Sequence, residues 1–90
     1  MSAVSQPEPS YDPERVAAAA RQADPGLPEE DAARLAREAW QHLREVGCED
    51  APEIARRLMA GPTSIGATPA NVVARAATVH CQELGIDPKA

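Results

Sequence analysis

Aromatic residues are almost absent from this sequence of 90 residues. It contains no phenylalanine, and Tyr11 and Trp40 are its only aromatic side chains. Nineteen residues are alanine, which favours helix but buries little apolar area per side chain. A core built on large aromatic side chains is therefore excluded. We expect helices that either pack closely against one another or leave apolar surface for a partner.

Cysteines and long apolar runs are equally scarce. Cys48 and Cys81 are too few for a disulfide framework, and no signal-peptide pattern is recognisable. No apolar run approaches the length that a membrane span needs. These features predict a cytoplasmic protein without membrane contact. Eight arginines against one lysine, with so much alanine, are typical of high-GC bacterial genomes and their phages.

Positive charge is also limited, since the formal net charge is −5. The acidic balance lies in residues 1–50, which hold eleven acidic residues against five arginines. Residues 51–90 hold three acidic residues against four basic ones. Broad, sequence-independent binding of nucleic acid needs a dense field of cations, so this charge balance argues against it. The asymmetry suggests that the two halves meet different surroundings.

Chain length and local composition predict one small domain. Residues 1–10 contain two prolines, three serines and no bulky apolar run, so we expect a disordered N-terminal arm. Residues 11–90 then form a single helical domain. At about 80 residues, hydrophobic burial alone gives only marginal stability.

Capping residues, prolines and glycines predict where the helices begin and end. Helix starts are indicated by Asp12-Pro13, Asp50-Ala51-Pro52-Glu53 and Thr68-Pro69, and helix stops by Gly47, Gly61 and Gly85. The expected helices cover 13–23, 28–46, 51–60 and 68–84, with Thr68 as the cap of the last. The predicted fold is all-α, a small bundle of three to four short helices. The first helix should be the most loosely docked, because its apolar face is nearly all alanine.

Helical periodicity predicts which residues face the core. In the second helix the apolar stripe comprises Ala32, Leu35, Ala36, Ala39, Leu43 and Val46, with Trp40 on its flank. In the third helix the inward residues are predicted to be Ile54, Ala55, Leu58 and Met59. The fourth helix has a wide apolar face of Val72, Val73, Ala76, Ala77, Val79, His80 and Leu84.

The favoured function is a non-enzymatic interaction or regulatory module that acts through helical surfaces. Trp and Arg are over-represented among the residues that anchor protein interfaces. We therefore predict a contact region formed by Trp40, Arg56 and Arg57 together with the 61–67 connection, in particular Thr63, Ser64 and Ile65. A second copy of the chain is one partner that could cover the remaining apolar surface. The competing interpretation of Trp40 is that it forms the centre of the domain's own core.

A small DNA-binding regulator is the alternative function. The string Glu53-Ile54-Ala55-Arg56-Arg57-Leu58 resembles the supporting helix of a bacterial helix-turn-helix, and the resemblance covers roughly residues 50–80. The 68–84 helix would then read the bases with Thr68, Asn71 and Arg75, while Arg56 and Arg57 contact phosphates. The connection between the two helices, about seven residues, is longer than the three or four that this motif uses.

Neither a metal centre nor an active site is predicted. The residues that could ligate zinc are His42, Cys48, His80 and Cys81, but their spacing lacks paired ligands such as C-x2-C. His80 cannot serve as a base for Cys81 from the adjacent position of one helix. The G-P-T-S-I-G segment lacks the lysine of a phosphate-binding loop. We expect no cofactor and no enzymatic activity.

Overall fold

A computed structural model describes residues 10–89, and within this range the protein consists of helices joined by short connections. The helices are α1 (Pro13–Ala23), α2 (Glu29–Val46), α3 (Ala51–Ala60) and α4 (Ala67–Leu84). The predicted all-α class is confirmed, and the predicted boundaries agree with these to within one residue. Apart from Ser10, the predicted N-terminal arm lies outside the described residues.

Side-chain caps start two of the helices as predicted. Asp12 accepts hydrogen bonds from the backbone N–H groups of Glu14 and Arg15, at 3.0 and 3.4 Å. Asp50 accepts from the N–H of Glu53 at 3.2 Å. In a capping box, the Glu53 carboxylate would in turn accept from the Asp50 N–H. Here it binds Arg56 and Arg57 instead, so only the first of the two bonds forms. Both helices therefore begin where an acidic side chain satisfies free backbone donors.

The predicted cap of α4 is wrong. The N-cap is Gly66, which supplies no side-chain hydrogen bond, and the helix begins at Ala67. Thr68 is consequently already inside the first turn. Its hydroxyl cannot cap from that position, because a capping residue must lie outside the helical backbone geometry.

The core is built from a few large aliphatic side chains and many alanines. Leu35, Leu43, Ile54 and Leu58 are the largest of the fully buried side chains. Between the helices lie alanines that are entirely buried and that allow close contact. These alanines are Ala20, Ala32, Ala36, Ala39, Ala70, Ala74 and Ala77. This arrangement follows the composition, because helices can approach closely only where their contact residues are small.

The first helix is docked firmly, contrary to expectation. It packs against both α2 and α4, and Val16 and Ala20 are buried. Its start is held by two long-range hydrogen bonds. Tyr11 Oη donates to the Ala36 carbonyl at 2.6 Å, and the Asp12 N–H donates to His80 Nε2 at 3.1 Å. These contacts hold α1 against the bundle although its alanines bury little apolar area.

Two residues predicted to face the core are exposed instead. Met59 is 44% exposed and Val79 is 43% exposed. Met59 lies about 100° around α3 from Leu58, which places it beyond the buried stripe. On α4 the interior is covered by Val73, Ala74, Ala77, Thr78, His80 and Cys81. The apolar face of α4 is therefore wider than the surface that the other helices cover.

Candidate functional site

The outer face of α2 carries a row of arginines. Arg34, Arg37, Gln41 and Arg44 follow one another at spacings of three, four and three residues, and all four are exposed. This spacing places them on one side of the helix, along about 15 Å. Within residues 10–89 none of the three arginines, which we call the arginine row, makes a salt bridge. In a chain with a net charge of −5, this is a local excess of unpaired positive charge.

A groove borders the arginine row on the side of the α3–α4 connection. It encloses about 350 Å³ and is lined by side chains of α2 and by the turn at Gly61 and Pro62. Arg34 and Arg37 stand at its edge, together with Gln41. Glu38 and His42, one helical turn apart, complete its α2 wall. We call this space the α2–loop groove.

The wall of the groove contains polar atoms that lack partners. Glu38 Oε2 accepts a hydrogen bond from the Thr63 hydroxyl at 2.5 Å, which ties the α3–α4 connection to α2. Glu38 Oε1 and His42 Nδ1 are buried and have no hydrogen-bond partner among the described residues. A buried polar group without a partner costs about 1–3 kcal/mol, so a water molecule, an ion or a bound group that supplied the missing hydrogen bonds would be stabilised here.

Thr63 is not available for the predicted contact region. Its side chain is buried, and its hydroxyl is occupied by Glu38. Ile65 is half-buried and packs against the core, whereas Ser64 is exposed. The connection is thus anchored on both sides of Ser64, and of these three loop side chains only Ser64 is fully presented to solvent.

Arg56 and Arg57 are paired with acidic residues. Both bind the Glu53 carboxylate, Arg57 through Nε at 3.0 Å, and Arg57 Nη1 also contacts Glu45 at 3.1 Å. Their charges are therefore partly neutralised within the protein. Each would have to leave or share its carboxylate before it could bind a phosphate or a partner's acidic side chain.

Trp40 belongs to an aromatic cluster on the other flank of α2. Its ring stacks on Tyr11, with centroids 4.9 Å apart and an angle of 21° between the planes. Tyr11 also contacts His80, at 5.6 Å between centroids. Burial raises the pKa of the Tyr11 phenol well above its ordinary value, with smaller contributions from Cys81 and Asp12. Trp40 is half-buried, so its ring supports the fold and is also partly accessible.

The predicted contact region is consequently split into two parts. Glu38, which holds the loop, and Trp40 lie about 160° apart around α2. The outer face of the helix separates them. Arg37 borders both parts, since it lines the α2–loop groove and also a second hollow beside Tyr11 and Trp40. The arginine row, which sequence reasoning passed over, is the feature that joins them. Its three-four-three spacing was a signal that could have identified it.

The predicted DNA-reading residues share the exposed side of α4. Thr68, Asn71 and Arg75 are all exposed. The Asn71 amide, however, donates one of its two N–H groups to the Ala67 carbonyl at 2.7 Å, so its side chain is held against its own helix. Arg75 is the only basic residue of α4. This face therefore offers little of the positive charge that a phosphate backbone attracts.

His80 and Cys81 are buried inside the bundle. His80 is buried, and its Nε2 accepts the Asp12 N–H, so the ring helps to hold the start of α1. Burial, followed by the neighbouring Cys48 thiol, raises the pKa of Cys81 from 9.0 to about 11. A thiol with such a pKa is a poor nucleophile. Within residues 10–89 no three His, Cys, Asp or Glu side chains cluster as metal ligands would.

Across residues 10–89, no helix combines the length and the apolar character needed to cross a bilayer.

Comparison with known proteins finds no relative of this chain. No protein-family model, no curated protein and no solved structure matches this chain.

Proposed function

We propose that this protein is a non-enzymatic interaction module that binds a protein partner through the outer face of α2. The binding surface comprises the arginine row and the α2–loop groove, and Trp40 lies on its far flank. The observation that carries this proposal is the row of unpaired arginines beside buried polar atoms that lack partners. Arginine and tryptophan are the residues most enriched at the centres of protein interfaces.

The chemistry of the surface favours an acidic segment of the partner. Carboxylates would bind the guanidinium groups of Arg34 and Arg37, which offer planar, two-pronged donors. Glu38 Oε1 is buried and lacks a donor within residues 10–89, so an N–H of the same segment could donate to it once the Glu38 side chain or the 61–67 connection shifts. Such bonds would relieve the cost of burying that oxygen alone.

DNA binding through α3 and α4 has weaker support than protein binding. Arg56 and Arg57 are already paired with Glu53, and Asn71 donates to its own helix. Only Arg75 adds a free positive charge to that face. We therefore retain DNA as the outcome that would displace the protein-binding proposal.

The test compares two matched double variants. In Arg34→Gln/Arg37→Gln, two charges are removed from the proposed surface. In the control, Arg15→Gln/Arg75→Gln, two other exposed arginines are removed, neither of which makes a salt bridge within residues 10–89. A photo-crosslinking amino acid at Gln41 captures bound protein in cells, and circular dichroism verifies that each variant is folded.

The proposal predicts that a discrete crosslinked partner is lost in the first variant and kept in the control. The same proteins are titrated into labelled duplex DNA at low and physiological salt. Salt-dependent DNA binding that is weakened by the control pair, which includes Arg75, would instead support the DNA-binding alternative. Equal capture by both variants would contradict the assignment of the surface to α2.

A further inference from the structure

The two cysteines of this chain, which the proposed function does not use, lie side by side in the fold. Cys48 is in the turn between α2 and α3, and Cys81 is in the last turn of α4. The Gln82 side chain donates a hydrogen bond to the Cys48 carbonyl at 2.7 Å. This bond ties the α2–α3 turn to α4 at the position next to Cys81. The turn is therefore held against the end of the helix that carries the second thiol.

Further contacts bring the sulfur atoms themselves together. The Cys81 thiol donates to the Ile86 carbonyl, with 3.8 Å between Sγ and the oxygen. Ile86 also lines a hollow together with Cys48. Burial contributes most to the raised pKa of Cys81, and the Cys48 side chain contributes next, an effect that requires the two side chains to be close. Both thiols therefore lie in one small cluster beneath the C-terminal segment 86–89.

The two thiols differ in their access to solvent. Cys81 is fully buried, whereas Cys48 is half-buried. Cys48 borders a hollow of about 300 Å³ between the α2–α3 turn and the C-terminal segment 86–89. A molecule little larger than water, such as hydrogen peroxide, fits into a space of this size. An oxidant therefore meets Cys48 first.

We propose that Cys48 and Cys81 form an oxidation site, at which hydrogen peroxide converts the two thiols into a disulfide within one chain. In the first step the Cys48 thiolate attacks a peroxide oxygen, so that an S–O bond forms and the O–O bond breaks. The products are a sulfenic acid at Cys48 and a hydroxide, which leaves as water with the proton of the Cys48 thiol. In the second step the Cys81 sulfur attacks the sulfenic sulfur, an S–S bond forms, and the S–O bond breaks. The hydroxyl leaves with the Cys81 proton as a second water, so one peroxide is reduced as two thiols are oxidised.

Proximity is what makes Cys81 the partner of the sulfenic acid. Few Cys81 thiols are ionised at neutral pH, because the pKa of this thiol is raised to about 11. A thiolate of high pKa is, however, intrinsically more nucleophilic, and a reacting group held beside its target outcompetes free thiols in solution. Neither cysteine belongs to the arginine row or the α2–loop groove, so this inference stands independently of the proposed partner.

Mass spectrometry of the full chain tests the proposal. Hydrogen peroxide should lower the mass of the monomer by about 2 Da, the mass of two hydrogens, and a thiol reductant should restore it. After digestion with trypsin, the disulfide should join the peptides 45–56 and 76–89, which contain one cysteine each. The rate should not depend on protein concentration. A disulfide that forms only between two chains would overturn the proposal.

Single variants separate the two steps. In Cys81→Ala, peroxide should leave a sulfenic acid at Cys48 that dimedone traps. In Cys48→Ala, a substitution at a half-buried position, the remaining thiol should react at least about tenfold more slowly than Cys48 does. Circular dichroism verifies that both variants are folded. If Cys81 is oxidised as fast as Cys48, the proposed order of the two steps is wrong and the proposal fails.

Gln82→Ala tests whether the observed contact holds the pair together. It removes the bond to the Cys48 carbonyl and should slow disulfide formation by about threefold or more, whereas Glu83→Ala, the matched control at the next exposed position, should not. The oxidised protein should melt about 10 °C or more above the reduced protein, because the link restricts the unfolded chain. Equal rates of disulfide formation in buffer and in concentrated urea, or a lower melting temperature after oxidation, would show that the native fold does not hold the thiols in place and would overturn the proposal.

Discussion

Removing the Tyr11 side chain should destabilise the whole bundle, although Tyr11 precedes the first helix. The ring stacks on Trp40, and the hydroxyl reaches the Ala36 carbonyl across 25 positions of sequence. It therefore links the start of α1 to the middle of α2. If this contact is what docks the small alanine face of α1, the loss of Tyr11 must appear in the global free energy of unfolding.

Two substitutions separate the hydroxyl from the ring. Tyr11→Phe removes one hydrogen bond, which contributes about 1 kcal/mol or less, because the Ala36 carbonyl keeps its bond within α2. Tyr11→Ala also removes the stacking and the burial of the ring, and should cost about 2–3 kcal/mol in total. For a domain of this size, each kcal/mol lowers the melting temperature by about 4–8 °C.

Urea unfolding followed by far-UV circular dichroism measures both values, with Met59→Ala as the control. Met59 is 44% exposed, so its substitution should change the free energy of unfolding by no more than about 0.5 kcal/mol. Fluorescence of Trp40, the only tryptophan, reports in parallel whether its surroundings change. If Tyr11→Ala costs less than about 1 kcal/mol, the aromatic cluster does not dock α1, and our account of this helix fails.

Three further predictions concern the loop glycines and the buried thiol. Gly61→Ala should lower the free energy of unfolding, measured with urea, by about 1–2 kcal/mol, because a Cβ there would lie 3.0 Å from Glu38 Oε1. When Glu38 is also replaced by alanine, most of this loss of stability should disappear. Gly66→Ser should raise the free energy of unfolding by about 0.5–1 kcal/mol, because the serine supplies the side-chain cap that α4 lacks. If urea unfolding shows no gain in stability, the cap does not form. At pH 8, Cys81, with its pKa of about 11, should have about 100-fold less thiolate than a thiol of ordinary pKa, 9.0. Because Cys81 is also buried whereas Cys48 is half-buried, an alkylating reagent should label Cys81 far more slowly than Cys48, as measured by mass spectrometry of the labelled protein. The folded pKa is the higher one, so the stability gained from the neutral thiol is complete below pH 9.0 and is lost as the pH rises through about 11; a stability that stays flat over that range would contradict this.

The helices were predictable because their signals are local. Asp12 and Asp50 accept hydrogen bonds from backbone N–H groups that lie two or three residues further along the chain. Gly47 and Gly85 end helices by adopting a positive φ, which other residues avoid. The one wrong cap, Thr68, also has a local cause. An alternative N-cap, Gly66, lies two residues earlier, and sequence alone did not distinguish them.

The candidate site was only partly predictable. Trp40 and the 61–67 connection were identified from residue type, yet their placement on different flanks of α2 depends on how the helices pack. The involvement of Glu38 was missed because its partner, Thr63, lies 25 positions away. The paired state of Arg57 likewise depends on Glu45, a residue of another helix.

The all-α class, the bounds of the helices and most of the buried stripe follow from caps, turn residues and helical periodicity, because these signals act within a few residues of one another. Which apolar residues remain uncovered and which charges remain unpaired depends instead on how the helices pack. Val79 belongs to an apolar pattern but is exposed, because it lies about 160° around α4 from the buried Ala77 and Cys81. Within residues 10–89 the arginine row makes no salt bridge, and the neighbouring Glu38 carboxylate accepts from Thr63 instead. Such facts depend on contacts between residues distant in sequence, and no local pattern encodes them.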